Sequence, residues 1–307
     1  NTNMKVSIRN EYGNLKSVIV GSVTNMAWPS DDDKFNKGIQ KSTYPTTLLR
    51  GKLPGVVSQE AAEDLEKLVN ILENRKIKVY RPLTNKPHWA YSARDILLTI
   101  GNKVIQCPTP FSSRADEIEM YPFLYKADAE IIKAPSPIKD SDPYFDAANV
   151  LKLGDKLLYS LSHSANDAGA DWLQQQVGNE HEVIKWSVVD HDITHIDSTL
   201  LTLNENTVIV NATRVKEQDL PQFMRDYKKI WIEDVVPRDF HQFPYASKWI
   251  GMNILSIDPE TVLVDEIQTG LKEKLEANNF KVITTSMRQS RTLGGGFHCV
   301  TCDLERE

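Results

Sequence analysis

Four stretches of the chain repeat one pattern: an apolar run, a turn rich in Gly, Asn or Asp, and a second apolar run. The run from Asp95 turns at Gly101-Asn102 and ends at Cys107, and the run from Asn149 turns at Gly154-Asp155 and ends at Tyr159. The run from Ser198 turns at Asn204-Glu205-Asn206 and ends at Val210; the run from Asn253 turns at Asp258-Pro259-Glu260 and ends at Val264. Gly, Asn and Asp supply the backbone freedom of tight hairpins. The starts at 95, 149, 198 and 253 recur roughly every 50 residues.

Helical periodicity predicts helices over 59–74, 165–176, 218–229 and 268–277, with short strands over 78–80, 181–184 and 281–284 after three of them. The repeating unit is therefore hairpin, helix, strand. A strand over 15–20 starts a fifth unit that the C-terminal segment is expected to complete. Circular repetition of such α/β units collects equivalent positions around one axis, where a pocket can form. Polar residues stand at equivalent places: Asp95 opens one hairpin, Asp146 precedes the second, His195 and Asp197 the third, Ser247 and Lys248 the fourth.

The 307 residues are 40% hydrophobic, enough for a sizeable core. With 36 basic against 42 acidic residues, a net charge of -6 and no basic run, a nucleic-acid partner is not expected. No apolar run approaches the roughly 18 residues of a membrane span, and no secretory signal opens the chain. A cytoplasmic protein is expected, its three cysteines reduced and the Asn211 sequon unused.

Gly294-Gly295-Gly296 before Phe297-His298-Cys299 is the most unusual local sequence, read either as a flexible loop or as a sharp turn beside a ligand. Cys299 is a nucleophile only as thiolate, so it needs a cationic neighbour or a cationic substrate; His298 and His195 are candidates to assist it. Cys299-x-x-Cys302 also fits a redox pair or half a zinc site, but no second ligand pair exists to complete the latter. His195 and Asp197, two apart, are expected on one face of a strand.

Taken together, Tyr144-Phe145-Asp146-Ala147-Ala148, His195-Ile196-Asp197-Ser198-Thr199, Ser247-Lys248-Trp249 with Met252-Asn253, and Gly294 through Asp303 resemble the glycine/inosamine-phosphate amidinotransferase family in order and spacing. The resemblance spans nearly the whole chain. It implies a five-bladed α/β propeller of pseudo-fivefold ββαβ repeats, a single catalytic domain over 1–307. It further implies L-arginine as amidino donor, Cys299 as nucleophile, His195 as general acid and base, and Asp146 as the partner of His195. By the same resemblance Asp95 and Asp197 clamp the guanidinium, Arg214 binds the donor carboxylate, and Ser247, Asp192 and Thr194 belong to the acceptor side. Ala246, Asp192 and Thr194 depart from the family pattern there, and an acidic Asp192 fits either a basic acceptor or a solvated surface.

The partners are then L-arginine and a small amine, with no metal, no organic cofactor, no nucleic acid and no membrane; a homodimer is compatible. A hydrolase that replaces the amine by water and a non-catalytic guanidinium-binding protein stay open beside the transferase, as does a Cys299–Cys302 redox switch. The cysteine block favours transfer.

Overall fold

A computed structural model describes residues 4–29, 32–35, 51–188, 193–240 and 246–307. Among them, five three-stranded sheets follow one plan, in which the first two strands are antiparallel and the third runs parallel to the middle one. The four expected hairpins become Leu97–Ile100 with Lys103–Gln106, Val150–Leu153 with Lys156–Ser160, Leu200–Asn204 with Thr207–Asn211, and Leu255–Asp258 with Thr261–Asp265. Their parallel third strands are Glu130–Lys133, Glu182–Trp186, Lys228–Ile232 and Lys281–Thr285. Gly101 and Gly154 take φ of 57° and 73° at two of the hairpin turns, a conformation that costs a side-chain-bearing residue dearly.

The fifth sheet is assembled from both ends of the chain. Leu15–Val20 lies between Thr301–Arg306, antiparallel, and Lys78–Tyr80, parallel. A two-stranded pair, Ala27–Trp28 with Gly51–Lys52, stands apart from the five.

Helices bridge three of the crossovers. Helix α1 (Gly55–Asn74) buries Val57, Ala61, Leu65, Leu68, Val69 and Leu72, spaced to face one side, and packs them with Val18 and Val20 in one core cluster. Helix α2 (Asp167–Val177) begins later than periodicity suggests because the Asn166 side chain caps it, accepting from the Gly169 amide at 2.8 Å. Helix α3 (Thr269–Ala277) carries Leu271 and Leu275 inward.

The helix expected over 218–229 does not form. Pro221 lacks an amide donor and disfavours helical backbone at Leu220, so the segment breaks into turns at Glu217–Asp219 and Gln222–Met224 before the strand from Lys228. The crossover before Glu130–Lys133 is likewise built of short 3-10 turns. No described helix is long and apolar enough to cross a membrane.

Where the sheets meet, the interior is charged. Asp303, fully buried, accepts from Arg94 Nη2 at 2.6 Å and from Arg306 Nε at 2.5 Å. Arg306 also donates to the carbonyls of Gly13 at 2.7 Å and Ser256 at 2.9 Å, and Arg94 to the carbonyl of His298 at 2.6 Å. Burial works against the Asp303 carboxylate, but Arg306 and Arg94 outweigh it and hold the acid well below its ordinary range. Replacing Asp303 by Ala leaves two guanidinium groups buried without their shared counter-ion. Asp303→Ala should lower unfolding free energy by about 3–5 kcal/mol, read as an earlier denaturant midpoint.

Candidate active site

Each hairpin is entered through a short 3-10 turn, and these turns carry the polar residues. Asp95 ends the turn Ala93–Asp95; Asp146 precedes Ala147–Asn149; His195 precedes Ile196–Ser198; Ser247 precedes Lys248–Met252. His195 and Asp197 are therefore not on a strand face. His195 has extended backbone (φ -126°, ψ 157°) and Asp197 lies inside the turn, so a change of backbone conformation, not strand alternation, places them.

Two chains of contacts result. His195 Nε2 lies 2.8 Å from Asp146 Oδ2, and Asp146 Oδ1 accepts from Thr109 Oγ1 at 2.7 Å, which fixes the carboxylate. On the other side of the ring, His195 Nδ1 is 3.6 Å from Asp95 Oδ1, an oxygen buried with no hydrogen-bond partner. Asp95 Oδ2 is held by Arg114 Nη1 at 2.8 Å, and Arg114 is itself forked on Glu117 at 2.7 and 2.9 Å.

In the second chain, Cys299 Sγ donates to Asp197 Oδ2 at 3.3 Å, and the same oxygen is 2.8 Å from His298 Nδ1. The Cys299 amide donates to Asn253 Oδ1 at 2.8 Å. Cys302 points its thiol at the Leu97 carbonyl instead, and both thiols are free, so the structure does not join Cys299 and Cys302.

The charges explain the resting state. Burial pushes the Cys299 thiol well above its ordinary value, and Asp197 and Asp95 push it further. Burial opposes the His195 imidazolium, but Asp95, Asp146 and Asp197 outweigh it and raise the ring to about 9. Asp95 is raised, chiefly by burial, whereas Asp197 is lowered because His298 and His195 outweigh its burial. At neutral pH the cluster thus holds a thiol, an imidazolium and a surplus of carboxylates. A cation placed among those carboxylates favours the thiolate.

The remaining candidates stand further out. Arg214 is half-buried and donates to Thr199 Oγ1 at 2.9 Å; no carboxylate is paired with it among the described residues, and burial lowers it to about 10. Ser247 caps its own turn, accepting from the Trp249 amide at 3.3 Å. Thr194 Oγ1 lies 3.2 Å from His163 Nε2, while Asp192 falls outside the described residues. Thr109, Arg114, Glu117 and Glu11 were not anticipated. Arg114 and Glu117 at i,i+3 read in sequence as a surface pair, and a lone Glu11 carries no signal at all.

The chain is 33% identical over 337 residues to inosamine-phosphate amidinotransferase 1 of Streptomyces griseus, covering 98% of this chain and 97% of that protein. The solved inosamine-phosphate amidinotransferase structure from the same organism superposes with a TM-score of 0.88 at 32% identity, covering 98% of this chain and 97% of that one. This chain belongs to the amidinotransferase family. The L-arginine:L-lysine amidinotransferase of Pseudomonas savastanoi pv. phaseolicola is 29% identical over 286 residues, 80% of this chain and 78% of that protein. No family profile matches.

In this amidinotransferase the glycine segment is packed, not loose. Gly294 ends the turn Ser290–Leu293 in the left-handed region at φ 73°. A Cβ on Gly295 would lie 2.8 Å from Tyr91 Cε1, and one on Gly296 would lie 2.7 Å from Asn253 Cβ and 2.8 Å from the Asn253 carbonyl. The thiol is delivered by backbone that leaves no room for side chains. The His195 environment makes a pH test available. Its folded value near 9 exceeds the ordinary 6.5, so its stabilisation is complete below about pH 6.5 and lost as pH rises through 9. The unfolding free energy of the wild type should fall by on the order of 3 kcal/mol across that window, and His195→Asn should flatten the curve in denaturant titrations.

Proposed function

We propose that this amidinotransferase takes the amidino group from L-arginine through a covalent intermediate on Cys299 and passes it to an amine, releasing L-ornithine. The observation that carries the reading is a buried thiol under the influence of two carboxylates: Asp197 at 3.3 Å from Sγ, and Asp95, whose buried Oδ1 is unpartnered beside His195. A planar guanidinium fits such acceptors through charge-assisted paired hydrogen bonds. Its positive charge offsets the carboxylates that hold the thiol neutral, so the substrate itself promotes thiolate formation.

The steps then balance. As the guanidinium binds, the Cys299 thiol gives up its proton to solvent, and the thiolate attacks the guanidinium carbon. His195, held by Asp146, donates its proton to the departing nitrogen as the C–N bond breaks, which leaves neutral His195, ornithine and an amidino-thioether cation. The acceptor amine enters after ornithine has left. Neutral His195 takes its proton as nitrogen attacks the same carbon, the C–S bond breaks, and thiolate and imidazolium are restored; the thiolate regains a proton from solvent once the guanidinium product leaves. Arg214, a half-buried cation, suits the donor α-carboxylate. Ser247, Thr194 and Asp192 belong in this reading to the acceptor side.

The same reading makes the fold a single five-bladed propeller. In its favour, the turn Ala93–Asp95 touches Ala147–Asn149, that turn touches Ile196–Ser198, and the next touches Lys248–Met252. Lys248–Met252 touches Ser290–Leu293, and the strand Thr301–Arg306 that follows returns to Ala93–Asp95.

Incubation with guanidino-labelled L-arginine and a panel of amines tests the function. Ornithine together with a labelled guanidino product, and parallel-line double-reciprocal plots, are expected. Citrulline formed without any amine would make the chain a hydrolase. Cys299→Ala should abolish turnover with the fold intact, and kcat/KM for arginine should fall as pH rises past about 9, where His195 gives up the proton the first step needs.

A further inference from the structure

Near the ring nitrogen of His298 that does not meet Asp197 lies a carboxylate that the transfer steps do not use. Glu11 has 3% of its side chain exposed, and neither of its oxygens has a hydrogen-bond partner. Three cationic or imidazole nitrogens surround Oε2: Arg94 Nη1 at 3.8 Å, His298 Nε2 at 3.9 Å and Lys152 Nζ at 4.0 Å. His298 Nε2 is buried and likewise without a hydrogen-bond partner, while its Nδ1 is 2.8 Å from Asp197 Oδ2. Both ring nitrogens thus face carboxylates, and the His298 carbonyl is pinned by Arg94. A ring held so on two sides has little freedom to tilt.

We propose that Glu11 is a positioning residue for the transfer reaction, acting through His298 to fix Asp197 Oδ2 against Cys299. The proposal rests on the reading of Asp197 and Cys299 given above. Glu11 itself stays ionised, because Lys152, His298 and Arg94 outweigh its burial and hold it at about 2. The charged groups facing the pair are Arg94, Lys152 and Asp197, with the Cys299 thiol beyond. A carboxylate free to turn by an ångström would present both the guanidinium and the thiol wrongly, a displacement worth up to about 100-fold in rate.

The test compares Glu11→Gln, His298→Asn and the double variant for kcat and KM with arginine and for thermal midpoint. An asparagine amide can keep the hydrogen bond to Asp197 while losing the reach to Glu11. Both single variants should lose about 100-fold in kcat/KM, carried mainly by kcat, and the double variant should be no worse than either. If His298→Asn works at the wild-type rate, or if the variants lower only the thermal midpoint while the folded enzyme keeps wild-type kcat, the proposal is overturned. Cys299→Ala run alongside separates the cases: its inactivity with active Glu11 variants removes this role alone, whereas its activity removes the covalent reading as well.

Discussion

Asp303 and the two arginines on it are the contact from which the rest of the molecule takes its positions. Arg94 is the residue before Asp95, and Asp303 lies four residues beyond Cys299, so one buried ion pair ties the Asp95 turn to the segment that carries the thiol. Arg306 extends the tie to the carbonyls of Gly13 and Ser256, and Thr99 Oγ1 donates to the Asp303 carbonyl at 2.7 Å. Segments from the start, first hairpin, fourth hairpin and last strand are thereby held to one another. Burying such charges costs a large desolvation penalty that apolar side chains would avoid. What the charges supply is direction: hydrogen bonds fix register between sheets in a way that interchangeable aliphatic contacts do not.

The same surplus of polar groups continues into the pocket, where the balance of sign changes. Around Asp303 cations outnumber the acid and hold it ionised. Around Cys299 burial, reinforced by Asp197 and Asp95, holds the thiol protonated. The first arrangement is complete in itself, whereas the second calls for an added cation. Stability and reactivity are thus divided between two neighbouring clusters that share Arg94 and His298 at their boundary.

Much of this was legible in the sequence because hairpins advertise themselves. Apolar runs broken by Gly101 and Gly154 fix both strands and turn, and the polar residue at each hairpin entrance follows from the repeat. The polar residues at the hairpin entrances were legible for the same reason, although His195 and Asp197 are placed by a 3-10 turn that strand alternation does not foresee. The helix expected over 218–229 fails on a local matter, since Pro221 interrupts apolar spacing that is otherwise helical. Glu11, Arg114 and Glu117 were illegible for a different reason. Their residue types occur mostly on surfaces, and only the assembled sheets decide that these are buried.

The close approach at Gly295 and Gly296 has an evolutionary side. Any side chain there meets Tyr91 or Asn253, so both positions are constrained by packing whether or not the enzyme turns over. In the proposed reaction Cys299, by contrast, is constrained by the carbon it attacks. A pseudoenzyme descended from this chain would keep the two glycines long after its thiol had drifted to serine or alanine. The glycines report packing, and in the proposed reaction only the thiol, read together with His195, reports chemistry.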